Sequence, residues 1–449
     1  MTTCLRLTLL TLLLLPVSSV AQPSAISPSV QLLLLDDNNS PHTSIPEFGA
    51  PPVDESSRPK RDWISAFDGV TATPLSGSLQ AAIDDCDGST LCVIEIGQLQ
   101  LSGTVYLYRS NLKLIGAVDN KVTYTGTNSV FLIPSGVHNI IIEGLQIDGR
   151  INNTPSSRDP DIYGILLYGD SIDRVLIKNN HLHYLHGKDN AHGIAALGTG
   201  SSEGSAISNI IIEQNRLEDL RTGSSEAIAI NGNVRNWEVT HNQISRTNNI
   251  AIDAIGGEGT SPTQTVAGRI LPGRLDAARH GFIEYNQVTD MSTVTNPAYG
   301  NQHSWAAGIY IDGARDITVR HNTVQNAPWA FEVGAENCIE TSNITLTDNT
   351  ASDSRYGDLL IGGYASRGYL EHSDINCDPN ASADAEEGHG YVHHTTIKQN
   401  NLQTTSPLES TLEISNRVRN TMIIHPGINA QNPQGQVTGD QNSIRVSEP

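Results

Sequence analysis

Basic residues are scarce in this chain: 27 lysines and arginines face 48 aspartates and glutamates, a formal net charge of −21 over 449 residues. A surface of that sign repels nucleic acid and anionic lipid, so neither is expected as a partner. It also weighs mildly against a polyanionic substrate, although solubility in a salty or acidic exterior accounts for it equally well. Long apolar runs are scarce too. One stands at LTLLTLLLLPV (7–17), behind Arg6 and ahead of Ser19-Val20-Ala21, the small-x-small pattern of signal peptidase. Residues 1–21 are expected to be a signal peptide and the protein to be secreted, extracellular or periplasmic. Nothing later is long or apolar enough to span a membrane, so no membrane partner is expected. Cysteine is sparse. Without Cys4 there remain Cys86, Cys92, Cys338 and Cys377, and in an oxidising compartment their most local pairing is Cys86–Cys92 with Cys338–Cys377. Neither pair has zinc-finger spacing, so no metal is assigned to them.

What the chain has in abundance is one phrase: alternating apolar residues, then Asn, a spacer and another apolar residue. It reads RVLIKNNHLHYL (174–185), NIIIEQNRLEDL (209–220), NWEVTHNQISRT (236–247), HGFIEYNQVTDM (280–291), DITVRHNTVQNA (316–327), NITLTDNTASDS (343–354) and HTTIKQNNLQTT (394–405). A unit repeated this often means a chain that winds, each turn burying the hydrophobic face its neighbour cannot bury alone. Between the copies lie further short strands: YGILLYG (163–169), HGIAALG (192–198), EAIAING (226–232), NIAIDAIGG (249–257), AGIYIDG (307–313), WAFEVGAEN (329–337) and DLLIGGY (358–364). Two or three strands joined by tight bends describe one rung of a parallel β-helix. The recurring Asn180, Asn215, Asn242, Asn286, Asn322, Asn349 and Asn401 are expected to form a ladder at one corner, because Asn tolerates left-handed backbone and its amide bonds to the turn.

Residues 22–61 are rich in Pro, Ser and Asn and end in RPKR (58–61). They read as a disordered leader or pro-segment, the basic cluster being either a processing site or a solvated linker. The ordered β-helix domain is expected over 62–449. GSLQAAIDDC (77–86) puts Leu79, Ala82 and Ile83 on one helical face just before the first strands, where a repeat stack needs a cap.

Over roughly residues 75–427 the repeat phrase, the N-terminal helix and the signal peptide resemble the right-handed parallel β-helix proteins of the pectate-lyase-like superfamily. Those are secreted carbohydrate-active enzymes for the most part. The resemblance implies an all-β solenoid and a polysaccharide or oligosaccharide as substrate. The polygalacturonase set is not found: no NTD is followed by DD, no terminal RIK occurs, and the GHG at 388–390 stands without its partners.

Aligning the second set of strands by their inward residues (Ile228 and Ile230, Ile250 and Ile252, Ile309 and Ile311, Phe331 and Val333) leaves Asn231, Asp253, Tyr310, Asp312 and Glu332 facing outward. In that register Asp253 stacks directly on Asp312, with Asn231 one rung before and Glu332 diagonal on the rung after. Carboxylates stacked about 4.8 Å apart raise at least one pKa, and a pair with one member protonated and one ionised is what glycoside hydrolysis requires. A separation near 5 Å suits a retaining mechanism. A calcium site or an inert acidic surface are the alternatives, and no cofactor is expected. The long insertions 254–279, 292–306 and 363–391 flank this face and carry Glu258, Arg279, His280, Tyr299, His303, Trp305, Tyr364 and Arg367, candidates for sugar stacking and hydroxyl binding. Glu336 either joins them or caps the turn of FEVGAEN, and His192 is a candidate at the lower end.

The expected function is a glycoside hydrolase with Asp253 and Asp312 as the pair and Glu332 assisting, acting as a monomer. A polysaccharide lyase is the first rival. It would need Arg279 or His303 for the work that lysine often does, since lysine outside the leader is confined to positions 113, 121, 178, 188 and 398. A non-catalytic glycan-binding solenoid is the second.

Overall fold

The computed structural model describes residues 48–149, 161–187, 190–266, 269–363, 390–405, 407–415, 417–424, 435–437 and 444–447. The expected signal peptide and most of the leader lie outside these residues, as do Cys377, Tyr364 and Arg367.

Each turn of the chain lays down three parallel strands, as in Asp173–Lys178, His181–His183 and Ala191–Gly198. The first two belong to a larger sheet, and the third to an eleven-stranded sheet whose strands follow chain order from Val105–Tyr106 to Gly435–Val437. Short antiparallel strands Gln264–Val266 and Arg269–Leu271 form a hairpin within an insertion. Inward columns of branched side chains fill the coil, one running Ile142, Ile177, Ile212, Val239, Ile283, Val319, Leu346 and Ile397. Where Trp237 enters the neighbouring column the next rung carries Gly281, and a Cβ there would overlap the indole.

The corner between the first two strands is held by asparagine. In each of Asn180, Asn215, Asn242, Asn286, Asn322 and Asn349 the backbone N–H and the side-chain Nδ2 both donate to Oδ1 of the next Asn, at 2.9–3.0 Å. Nδ2 also donates to a carbonyl on the preceding turn, such as Ile177 O for Asn215. Two details of the expected ladder are corrected. Its last rung is Asn400, which accepts from Asn349; Asn401 is exposed. The left-handed residue is not the ladder Asn but the one before it: Asn179, Gln214, His241, Tyr285, His321, Asp348 and Gln399 have φ between 54° and 57°. The ladder's buried hydrogen bonds offset a backbone cost of roughly 1–2 kcal/mol at each such residue.

The helix Leu79–Asp84 is capped by Ser78, buries Leu79 and Ile83, and packs by the Val105–Tyr106 strand. Cys86 and Cys92 form a disulfide as expected, and Cys338 is disulfide-bonded too.

Residues 48–61, expected as part of a disordered leader, are instead laid along the outside of the larger sheet. Gly49 N–H donates to Asn420 O, Arg58 bonds Glu238 and Glu284, and Arg61 bonds Glu213 and Glu238. Trp63, Ile64 and Phe67 then cover Val93, Ile141, Leu176 and Ile211. The strap therefore runs against the direction of winding, and the two arginines of RPKR serve as clamps on strand carboxylates.

Candidate functional site

On the outer face of the eleven-stranded sheet two columns carry the chemistry. One runs Leu166, Ala195, Ala229, Asp253, Tyr310, Glu332, Leu360, and its neighbour Tyr168, Leu197, Asn231, Ile255, Asp312, Gly334, Gly362. The expected stack of Asp253 on Asp312 is thus overturned. Asp253 pairs with Tyr310, and Asp312 pairs with Ile255. The reason is a two-residue slip: Ile252 and Ala254 point inward where Ile250 and Ile252 were expected, since Ile250, Ile252 and Ala254 share one phase and any adjacent two satisfy the alternation. Asp253 and Asp312 now lie on a diagonal, one strand across and two residues along, about 8 Å apart at Cα from ordinary strand spacing and rise.

A third carboxylate extends the same diagonal. Glu226 follows His192 on the next turn, its Oε2 3.5 Å from His192 Nδ1, and His192 stacks on Tyr163 at 4.9 Å. Glu226, Asp253 and Asp312 are 8%, 3% and 5% exposed, so all three have been withdrawn from water. Burial pushes the Asp253 carboxyl well up, helped by Glu226 and then by Asp312. Burial, and next the Glu336 carboxylate, push Asp312 up too, but the Glu336 backbone N–H donates to its Oδ1 at 2.8 Å and favours its ionised form. Burial and then Glu258 raise Glu226. Asp253 Oδ1 is buried without a hydrogen-bond partner. A buried carboxyl oxygen left unbonded is costly unless something else arrives to bond it.

Around the diagonal, Asn231 Nδ2 donates to Glu258 Oε2 at 2.5 Å, and Tyr310 OH donates to Glu336 Oε1 at 2.8 Å. Glu336 therefore joins the site through its carboxylate as well as its backbone. Tyr310 reaches it by leaning across Gly334, where any Cβ would meet the phenol ring. Tyr299 comes from the 292–306 insertion, its hydroxyl donating to Asn249 at 3.0 Å, and burial with the field of Glu226 and Glu336 raises its pKa. Among the described residues no group of three His, Cys, Asp or Glu side chains is placed to hold a metal ion.

Residues 163–375 match the family model described as the right handed beta helix region. The chain has the fold of a right-handed parallel β-helix. An uncharacterized protein of Bacillus subtilis, YwoF, is 38% identical over 231 residues, which are 51% of this chain and 45% of that protein. The chain thus spans about half the length of that relative. Two solved structures wind similarly: the A-module of mannuronan C-5 epimerase AlgE4 from Azotobacter vinelandii and a family 28 exopolygalacturonase from Yersinia enterocolitica. The first is 13% identical with a TM-score of 0.47, covering 82% of this chain and 92% of that one. The second is 12% identical, also at 0.47, covering 85% and 75%.

The β-helix gathers most of the expected site residues and disperses the others. Asp253, Asp312, Glu332, Asn231, Tyr310, Glu258 and Glu336 share one face. Trp305 packs edge-on against Trp329 at 5.9 Å, at the margin of the same face, and His303 is exposed on the loop before it. Arg279 and His280 do not belong there. They open the strand Arg279–Glu284 of the larger sheet; Arg279 is 1% exposed and bonds Glu203 and Asn233, while His280 faces Asp316. Loop membership does not place them on the site, because the insertion ends before Arg279, where the strand begins. Glu226 was missed, although it heads EAIAING as His192 heads HGIAALG, an equivalence visible in the repeat itself.

A pocket of about 360 Å³ lies elsewhere, under Ser292 and Thr295, with Tyr184, His186, Arg221 and Arg246 in its wall. Arg246 is already satisfied by Glu218 and Asp219, so that pocket offers less unspent chemistry than the carboxylate diagonal.

Proposed function

We propose that this protein is a secreted carbohydrate-active enzyme, a glycoside hydrolase that inverts the anomeric centre, with Asp253 as general acid and Asp312 as general base. The observation that carries the reading is the difference between two buried carboxyls on one diagonal: one has an unbonded oxygen, the other a backbone N–H. Asp253, held protonated, gives its proton to the glycosidic oxygen as the C–O bond breaks. Asp312 takes a proton from the water that attacks the anomeric carbon from the opposite side. Inverting enzymes hold their carboxyls roughly 6.5–9.5 Å apart to leave room for that water, and a diagonal pair, about 8 Å apart at Cα, is spaced more widely than a direct stack, which favours inversion over retention. Tyr310 and Glu336 position Asp312, while Tyr299 and Trp305 offer ring faces to sugars. Glu332, two rungs from Asp253, serves as a binding residue. The diversion of Arg279 into the larger sheet counts against a lyase, which must neutralise a uronate carboxylate. Export would follow from the 1–21 segment.

The test is hydrolysis of a polysaccharide panel followed by NMR of the first-formed anomer. Inverted product is expected. Retained configuration would refute the paired roles, and an ultraviolet-absorbing unsaturated product would replace the hydrolase by a lyase.

A further inference from the structure

Buried carboxylates on the larger sheet are each given a cation. Glu213 has Arg61 and Lys178, Glu218 has Arg216 and Arg246, Glu238 has Arg58 and Arg61, Glu284 has Arg58 and Arg320, and Asp148 has Lys121. The diagonal of Glu226, Asp253 and Asp312 is buried as deeply, and among the described residues none of the three is paired with Arg or Lys. His192 does not fill the gap. Burial pushes its pKa down to about 4, so at neutral pH it is uncharged, and its Nδ1, buried and without a hydrogen-bond partner, points at Glu226 from 3.5 Å. Two buried polar atoms are thus left unbonded on either side of Glu226: His192 Nδ1, 3.5 Å from its carboxyl, and Asp253 Oδ1, whose carboxyl feels Glu226 before any other charge.

Among the described residues the carboxylates of the larger sheet have Arg or Lys partners and the three of this diagonal do not, which leaves room for a charge that arrives with the ligand. A single metal ion fits poorly, since among the described residues no group of three His, Cys, Asp or Glu side chains is placed to hold one. A uronate polymer would find no counter-charge for its carboxylates on the diagonal. An ammonium group carried on a sugar ring would meet the Glu226 carboxyl and favour its ionised form.

We propose that the substrate is a glycan bearing free amino groups, a partly or fully deacetylated hexosamine polymer, and that Glu226 receives an ammonium group beside the cleavage point. The inference rests on the hydrolase reading for the position of cleavage, but not for binding. Burial and Glu258 raise the Glu226 carboxyl, and an ammonium group beside it favours the ionised form, so uptake of that group is expected to expel a proton.

The experiment titrates the protein with a glucosamine oligosaccharide, an N-acetylglucosamine oligosaccharide and a galacturonate oligosaccharide, and follows cleavage of each. Binding and cleavage of the amino sugar are expected, at least about 30-fold tighter than the other two, as for a buried charge pair. E226Q should bring the amino sugar down to the level of its acetylated counterpart. Should E226Q fold poorly, titration of the wild-type protein in buffers of different ionisation enthalpy gives an independent reading: proton release on binding is expected. Equal or stronger binding of the acetylated or galacturonate oligosaccharide overturns the inference and leaves the hydrolase reading standing. Selective amino-sugar binding with no cleavage keeps the inference and overturns the hydrolase. Failure to bind the amino sugar, or binding without proton release, overturns the inference.

Discussion

At the scale of residues, the two aspartates differ in ways that separate their roles. Asp253 has one oxygen buried without a partner and a carboxyl raised by burial, which suits the proposed proton donor; Asp312 accepts a backbone N–H that favours its ionised form, which suits the proposed base. Asp253→Asn and Asp312→Asn are each expected to lower kcat on a natural glycan by about 10²–10⁴. An aryl glycoside with an acidic phenol needs no proton on departure. On that substrate D253N is expected to recover most of its rate and D312N none, and steady-state kinetics on the two substrates decide it. Recovery in D312N instead would exchange the two roles. The alkaline limb of the pH–rate profile should belong to the carboxyl that is raised by burial and by Glu226, and it should vanish in D253N measured on the activated substrate.

At the scale of elements, the asparagine ladder and the strap hold the coils in register. Asn286 Oδ1 accepts two bonds from Asn242, and its Nδ2 donates to Val239 O and Asn322 Oδ1. Asn286→Ala leaves several buried groups unbonded and is expected to cost about 3 kcal/mol in denaturant titration, whereas Asn401→Ala, off the ladder, should stay within about 0.5 kcal/mol. Arg58→Ala removes clamps on Glu238 and Glu284 and a guanidinium lying 3.9 Å from the Phe282 ring centre. Arg61 and Arg320 remain on those carboxylates, so a loss of about 1–2 kcal/mol is expected, read as a lower denaturant midpoint.

The same two elements show what could be read in the sequence. The winding was legible, because period-two alternation broken by Asn is a local signal. The register of the second sheet was not. Ile228, Ile252 and Ile309 follow their ladder residues Asn215, Asn242 and Asn286 at three different spacings, so the ladder measures nothing beyond its own corner. The strap left no periodic trace either, since the carboxylates that its arginines clamp, Glu213, Glu238 and Glu284, stand far along the chain and its own regular structure is two single-turn 3-10 segments.

At the scale of the whole molecule, the acidic residues divide into two populations with opposite dependence on pH. Burial raises Glu218, yet bonds from Arg246, Arg216 and His181 outweigh it and hold the carboxyl at about 2; Glu213 is likewise lowered by Lys178 and Arg61 in spite of burial. Their stabilisation is present above the ordinary glutamate value of 4.5 and is lost as pH falls toward the folded-state values. Glu226, Asp253 and Asp312 go the other way. Their folded-state pKa values are raised, so the unfolded chain loses protons first, and stability that is complete below the ordinary aspartate value of 3.8 is lost as pH rises through the folded-state range. The protein should therefore be most stable on the acidic side of neutrality. Asp253→Asn removes one member of the second population while keeping its shape, and so should raise the melting temperature above that of the wild type at pH 8 and lose that advantage near pH 4. Melting curves of both proteins across that span test this. A gap that stays constant with pH would mean that Asp253 is ionised in the folded protein, and the role of proton donor would have to pass to another carboxyl on the diagonal.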